Sequence, residues 1–253
     1  MQNALDRQEL ICNPANLGFA GGNNIGISRA LDMKSEFVLL LNSDAAVSEA
    51  AVSRLLDRLA RNPELAIVGP TVEETSKTGV TRFAGGRDVS RHLNTRMPYE
   101  PSDADRPGGL RDADYVPGMV ALIRADAFGE IGLLDEDYFF SGELADFCER
   151  ARERGRRVAV DLSVAASHDS AHSGGGLRDS LYVYYGLRNR FLFVQKHRQA
   201  QSLRLTLKWS AVCLLVALRS LLRGNTARAR AAFLAMQDGL ARRFGNRNSL
   251  FGL

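Results

Sequence analysis

The sequence predicts an α/β protein: a Rossmann-like mixed, mainly parallel sheet flanked by helices, with a C-terminal helical extension. Two observations carry this. Strand-length apolar runs at Phe37–Leu41 and Ala66–Pro70 alternate with segments of helical periodicity, the pattern of βαβ units. From Leu181 onward the chain instead reads as three successive helices. With 253 residues, 45% apolar and 25% charged, there is material for one large α/β domain plus an appendage. The expected division is 1–197 and 198–253.

The central stretch is Phe37–Leu41, Phe-Val-Leu-Leu-Leu, which does not alternate and is expected to be covered on both faces. Asn42, Ser43 and Asp44 follow without a turn residue. Ligands of open α/β sheets bind beyond the carboxyl ends of strands, so Asp44 stands where a metal or a ligand hydroxyl is met. Alternatively, it only starts the loop before the next helix.

Upstream, Gln8–Cys12 reads as a short strand. The segment from Asn13 to Gly26 carries glycines at 18, 21, 22 and 26 and asparagines at 16, 23 and 24, then leads into a helix over Asn24–Met33. Backbone amides at such a helix start favour phosphate, although the spacing is neither Gly-x-Gly-x-x-Gly nor a P-loop. Downstream, Ser48 caps a helix with Val52, Leu55, Leu56 and Leu59 at helical spacing, stopped by Asn62-Pro63. Residues 73–113 lack periodicity and read as loops with a hairpin near Val80–Gly86, a length of irregular chain that is usually functional. Asp114–Arg124 is a bend followed by a buried strand. Asp126 caps a short helix that ends near Gly132.

Ser141–Gly155 is a helix in which Glu143 and Asp146, three apart, share a face near the N-terminus. They are either a reactive pair or a pair stabilised by the helix dipole. A strand over Arg156–Val160 precedes His168 and His172, two histidines that could ligate a metal or be surface polar residues. Leu181–Lys196, Leu203–Leu222 and Thr226–Arg243 are the last helices. In the second, the most apolar part, Trp209–Leu218, lies between Lys208 and Arg219. It is about half a bilayer core in length, so either an interfacial helix or one packed on the main domain is expected. No run of about 18 apolar residues is expected to span a membrane.

The net charge of +4 hides an asymmetry, since residues 178–253 hold only Asp179 and Asp238 as acids. That suits a membrane surface or a solvated helical face; the apolar positions of the tail argue against nucleic acid. Cys12, Cys148 and Cys213 form no framework and fit a reducing cytoplasm.

In order, these pieces resemble the inverting, GT-A-fold glycosyltransferases of family 2, especially the rhamnosyltransferase-like branch, over roughly residues 10–197. Asn16–Gly26 looks like the loop after the family's base-binding strands. Leu39–Asp44 looks like its Asp-x-Asp variant, with Asn42 in the first acidic slot. Gly132–Phe140 resembles the acceptor-side segment, and His168 and Arg188-Asn189 match later landmarks.

The resemblance implies transfer from a nucleoside-diphosphate sugar to a glycan or lipid-linked acceptor, with a divalent metal, Mg²⁺ or Mn²⁺. It implies donor contacts at Asn16, Gly18, Gly21, Gly22, Asn23, Asn24 and Asn42, and metal contacts at Asp44, His168 and His172. Acceptor contacts are implied at Tyr115, Pro117, Gly118, Met119 and Asp135. The sequence departs from the family's Glu-Asp-x-Asp at Leu144, where the base usually sits, so Glu143 or Asp146 is expected to act instead. Only about ten residues precede the glycine-rich segment. The family's first strands are therefore expected to be missing, through a mis-assigned start at Met1 or a shortened chain. The competing expectation is a non-catalytic relative that binds a membrane or partner. Either form is expected in the cytoplasm, at the inner face of the membrane.

Overall fold

The computed structural model describes residues 9–76, 79–103, 106–169 and 176–253. Eight strands form one sheet: β1 Phe37–Leu41, β2 Ala45–Val47, β3 Leu65–Ser76, β4 Gly79–Gly86, β5 Arg96–Pro98, β6 Leu110–Asp112, β7 Val120–Arg124 and β8 Arg157–Asp169. Among the described residues seven α-helices accompany it: α1 Gly18–Asp32, α2 Glu49–Arg61, α3 Ala125–Ile131, α4 Glu143–Glu153, α5 Leu177–His197, α6 Ser202–Leu222 and α7 Thr226–Leu240.

The mixed α/β class and the helical extension are as expected, but the sheet is not mainly parallel. Among the described residues only β3 and β8 pair in parallel; β1–β7, β7–β3, β3–β4, β4–β5, β2–β8 and β6–β8 are antiparallel. The βαβ alternation does put β1 and β3 in the same direction, but β7 is threaded between them and runs opposite to both. Alternation along the chain reports strand direction; it cannot report which later strand is inserted between two neighbours.

Helices α1, α3 and α4 cover one face of the sheet through Ala20, Ile27, Phe128 and Phe147. Helix α2 covers the other through Leu55 and Leu59, both fully buried. Ser48 caps α2 by accepting from the Ala51 amide at 3.2 Å. Among the described residues β1 pairs with β7 alone, and its side chains alternate: Val38 and Leu40 are buried while Leu41 is 49% exposed.

Other boundaries also move. Residues 9–12 form no strand, and the rest of that prediction lies outside the described residues. Helix α1 begins at Gly18, six residues before the expected start, because Asn16 Oδ1 receives the Gly18 amide at 2.9 Å and Phe139 O receives the Phe19 amide at 2.7 Å. Asp126 lies in the first turn of α3, behind an Arg124 N-cap. The supposed loops of 73–113 contain β4, β5 and β6 as well as the end of β3.

Helices α5, α6 and α7 share an apolar cluster around Tyr184, Tyr185, Phe191, Trp209, Cys213 and Ala232. By length and composition Gln199–Leu222 is apolar enough to cross a membrane, longer than the ten-residue core read from the sequence. It is nevertheless one-sided: Leu205, Trp209, Cys213 and Ser220 are buried against the protein. Leu203, Leu207, Leu214, Leu218 and Leu221 are each more than half exposed. At 3.6 residues per turn those five fall within an arc of about 60°.

Candidate active site

A cleft of about 320 Å³ opens beyond the carboxyl end of β1. Among the predicted residues it gathers Asn42, Asp44, Tyr115, Gly118, Met119, Glu143 and His168. Strand register explains the first cluster. His168 on β8 pairs with Ala45 of β2 on one edge and with Glu74 of β3 on the other. Asp44, next to Ala45, therefore meets the ring: its Oδ2 lies 3.5 Å from His168 Nε2, and Glu74 Oε1 lies 3.2 Å from Nδ1. Arg96 in turn holds Glu74 through both guanidinium nitrogens. A chain of polar contacts, Asp44–His168–Glu74–Arg96, thus runs along the cleft. With the Nδ1 proton on the Glu74 side, the Nε2 lone pair is left on the Asp44 side.

Among the described residues no group of three or more His, Cys, Asp or Glu is arranged to hold a metal. Two donors, a carboxylate and an imidazole at the rim of an open cleft, instead fit a cation that completes its shell with water and substrate oxygens. His172 lies outside the described residues.

Glu143 is the second focus. It opens α4, is 5% exposed and lines the cleft, yet its Oε1 has no hydrogen-bond partner. Burial pushes its carboxyl from 4.5 up to about 7, against the opposing pull of the Glu143 and Ser141 amides and of Arg188. The preceding turn is strained, with left-handed φ at Phe139 (59°), Ser141 (71°) and Gly142 (107°). Arg188 and Asn189 on α5 hold it. Asn189 Nδ2 faces the carbonyls of Tyr138, Phe140 and Ser141 at 2.9, 2.8 and 2.6 Å. Arg188 Nη2 donates to Asp137 O and Tyr138 O, and its Nη1 to Gly245 O. The pair acts on the backbone that aims Glu143.

Asp146, expected to share the reactive face, does not line the cleft. It is fully buried, with Oδ2 accepting from Arg150 Nε at 2.8 Å and Oδ1 facing His197 Nε2 at 2.8 Å and Lys196 Nζ. Burial raises its carboxyl, but the His197 bond and the Arg150 and Lys196 charges overrule that and hold it well below the usual range. Its oxygens are fully engaged by Arg150, Lys196 and His197, which leaves Glu143 as the carboxylate of the pair that faces the cleft. Asp135 is likewise away from the cleft, taking the Asp137 amide and Lys196 Nζ at 2.6 Å.

The glycine-rich segment is also reassigned. Only Phe19 of it lines the cleft, while Asn16 and Gly18 border an adjoining hollow of about 270 Å³. Gly21, Gly22, Asn23 and Asn24 sit within α1, bordering neither, because the helix starts earlier than expected. A Cβ at Gly18 would lie 2.2 Å from Phe139 O, so this glycine permits close packing rather than ligand approach. Asn24 is buried and bonds Leu134 through both its amide atoms and Glu136 Oε1 through Nδ2.

On the far wall Tyr115 hydroxyl meets Thr95 Oγ1 at 2.7 Å, and the Asn42 backbone N–H donates to Met119 O at 3.0 Å. Pro117 lies in the same bend but does not line the cleft. Sequence reasoning missed Glu74, Arg96, Thr95, Tyr182, Gly186 and Arg190. Only the helical spacing of 182, 186 and 190, a single face of α5, was there to be found.

The glycosyl transferase family 2 model matches residues 2–132. The chain is 28% identical over 178 residues to a low-salt glycan biosynthesis hexosyltransferase of Haloferax volcanii, covering 70% of this chain and 57% of that one. It is 26% identical over 186 residues to the N-acetylglucosaminyl-diphospho-decaprenol L-rhamnosyltransferase of Mycobacterium tuberculosis, covering 66% and 60%. A dTDP-rhamnosyl transferase of Shigella flexneri is 21% identical over 205 residues, covering 76% and 65%. The chain thus spans less than two thirds of the length of these curated relatives. In fold it is similar to GalNAc-T7, crystallised with UDP, GalNAc and Mn²⁺, with a TM-score of 0.53 at 15% identity, covering 72% of this chain and 35% of that one. With more than half its length matched, the chain belongs to glycosyl transferase family 2.

Proposed function

We propose that this protein transfers a sugar from a nucleoside-diphosphate donor to a hydroxyl of a glycan or lipid-linked acceptor, with inversion. The observation that carries this is the buried Glu143 carboxylate, with one oxygen unpartnered, in the same cleft as the Asp44–His168 pair. The acceptor oxygen attacks the anomeric carbon, the bond from that carbon to the diphosphate breaks, and Glu143 takes the hydroxyl proton. A carboxyl raised to about 7 suits that task near neutral pH. Asp44 and His168 are the residues that would hold a divalent cation, which supplies charge neutralisation for the leaving diphosphate. Asn42 and the rim around it take the donor side, and Tyr115, Gly118 and Met119 the acceptor side.

The names of the relatives support a hexose or deoxyhexose, with rhamnose first, and that of the Mycobacterium tuberculosis relative supports an acceptor built on a lipid diphosphate. The leucine stripe of α6 supports peripheral contact with the cytoplasmic face of a membrane. The test is a purified-chain assay of dTDP-rhamnose and UDP-hexoses with Mn²⁺ and a lipid-diphosphate sugar acceptor. Metal-dependent release of nucleoside diphosphate that Glu143→Gln abolishes supports the reading. Turnover unchanged in Glu143→Gln contradicts it.

A further inference from the structure

Helix α5 turns one face to the cleft at Tyr182, Gly186, Asn189 and Arg190. Gly186 and Arg190 are one turn apart on that face; no neighbouring side chain requires the glycine, and no carboxylate among the described residues balances the arginine. A glycine inside a helix is destabilising relative to alanine. At Gly186 an added Cβ would meet nothing within 4 Å, so no neighbouring side chain requires the glycine. What it leaves is room above the helix, on the cleft side.

Arg190 is a cation without a counter-charge. Among the described residues its Nη1 and Nη2 donate only to the carbonyls of Val89 and Leu93, at 3.3 and 2.8 Å, and its buried Nε has no partner. Among the described residues no carboxylate pairs with it, whereas the other cleft arginine, Arg96, is held by Glu74. Burial lowers its guanidinium from the usual value to about 10. A partly buried charge with no counter-charge is costly, and an anion brought by a ligand offsets that cost. The Tyr115 and Thr95 hydroxyls line the same cleft and offer neutral partners to phosphate oxygens.

The placement of Arg190 also indicates which phosphate. Its guanidinium stacks on the Trp209 ring, 4.5 Å from the centroid. Trp209 is on the buried face of α6, and the opposite face of that helix carries the exposed leucines. One helix, about 10 Å across, therefore separates Arg190 from the apolar surface. The donor's diphosphate has its own residues at Asp44 and His168.

We infer that Arg190, with the space over Gly186, forms a second diphosphate subsite, which binds the diphosphate of a lipid-linked acceptor whose lipid lies along α6. This rests on the transferase reading above but can fail separately from it. Two ligands separate the sources: farnesyl diphosphate in EDTA, and dTDP with Mn²⁺, each titrated by calorimetry into the full chain. The wild-type chain is expected to bind farnesyl diphosphate without a divalent cation, and Arg190→Gln to weaken it by about tenfold or more, the loss of one charge-assisted contact. Binding of dTDP with Mn²⁺ is expected to stay unchanged in Arg190→Gln. Gly186→Leu is the companion variant. It fills open space with a good helix former, so the thermal midpoint holds or rises while farnesyl diphosphate binding falls similarly.

Equal loss of dTDP and farnesyl diphosphate in Arg190→Gln would make this the donor's own phosphate site and overturn the inference. Cation-free farnesyl diphosphate binding that is absent in the wild type, or that survives Gly186→Leu undiminished, overturns it as well. Failure of dTDP to bind the wild type at all counts instead against the donor site.

Discussion

Replacing Glu143 by glutamine is expected to stabilise the protein above neutral pH while removing its activity. The carboxyl is raised from 4.5 to about 7 by burial. For a group raised in the folded state, the stabilisation is fully present below the unfolded value and is lost as pH rises through the folded one. A difference of 2.5 units at 1.36 kcal/mol each makes about 3 kcal/mol lost between pH 4.5 and pH 7. Glutamine carries no charge and avoids that loss. It accepts less well from the Ser141 and Glu143 amides, which offsets about 1 kcal/mol. The net expectation at pH 8 is about 2 kcal/mol, or roughly 4–8 °C in Tm for a chain of this size. At pH 5 the wild-type carboxyl is mostly protonated, and the variant is expected to be equal or slightly less stable. The assay is thermal unfolding of both proteins from pH 5 to pH 8.5. A Tm difference that does not grow across that range refutes the argument, whatever its sign at one pH.

Asp146 is expected to behave in the opposite way. Asp146→Ala leaves Arg150, Lys196 and His197 facing an empty site and is expected to cost about 3–5 kcal/mol, read by denaturant unfolding at pH 7. Because its folded value lies below the unfolded one, the wild-type contribution is lost as pH falls below about 4, so the penalty should shrink there. Asn189→Ala removes the donor to three carbonyls of the strained turn before Glu143. Its kcat is expected to fall about 10- to 100-fold with the donor KM little changed, since aim and not donor binding is lost. Leu214→Glu with Leu218→Glu, both solvent-facing, should leave the unfolding midpoint in place and abolish co-sedimentation with anionic vesicles.

Much of the fold was legible because local signals were strong. β1 runs over Phe37–Leu41 as read, and the Ser48 cap and Asn62-Pro63 stop bound α2. What was not legible is pairing. β7 lies between β1 and β3, and the register that sets Glu74 and Ala45 on either side of His168 joins residues about 95 to 125 positions apart. No periodicity encodes that. The site divides in the same way. That Asp44 and Glu143 line the cleft was readable from their places after a strand and at a helix start. Asp146 looked equivalent to Glu143 at a spacing of three, and only the packing of Arg150, Lys196 and His197 around it separates the two. Arg190 was invisible because an arginine in an amphipathic helix is ordinary until its missing counter-charge is seen.

The measurement that bears most directly on the account is calorimetric titration of dTDP and UDP, with and without Mn²⁺, into the wild-type chain, Asp44→Asn and His168→Ala. The expected result is binding that requires the cation, is lost in Asp44→Asn and is weakened in His168→Ala. Binding indifferent to Mn²⁺, or retained in Asp44→Asn, would contradict the placement of the donor diphosphate at the end of β1.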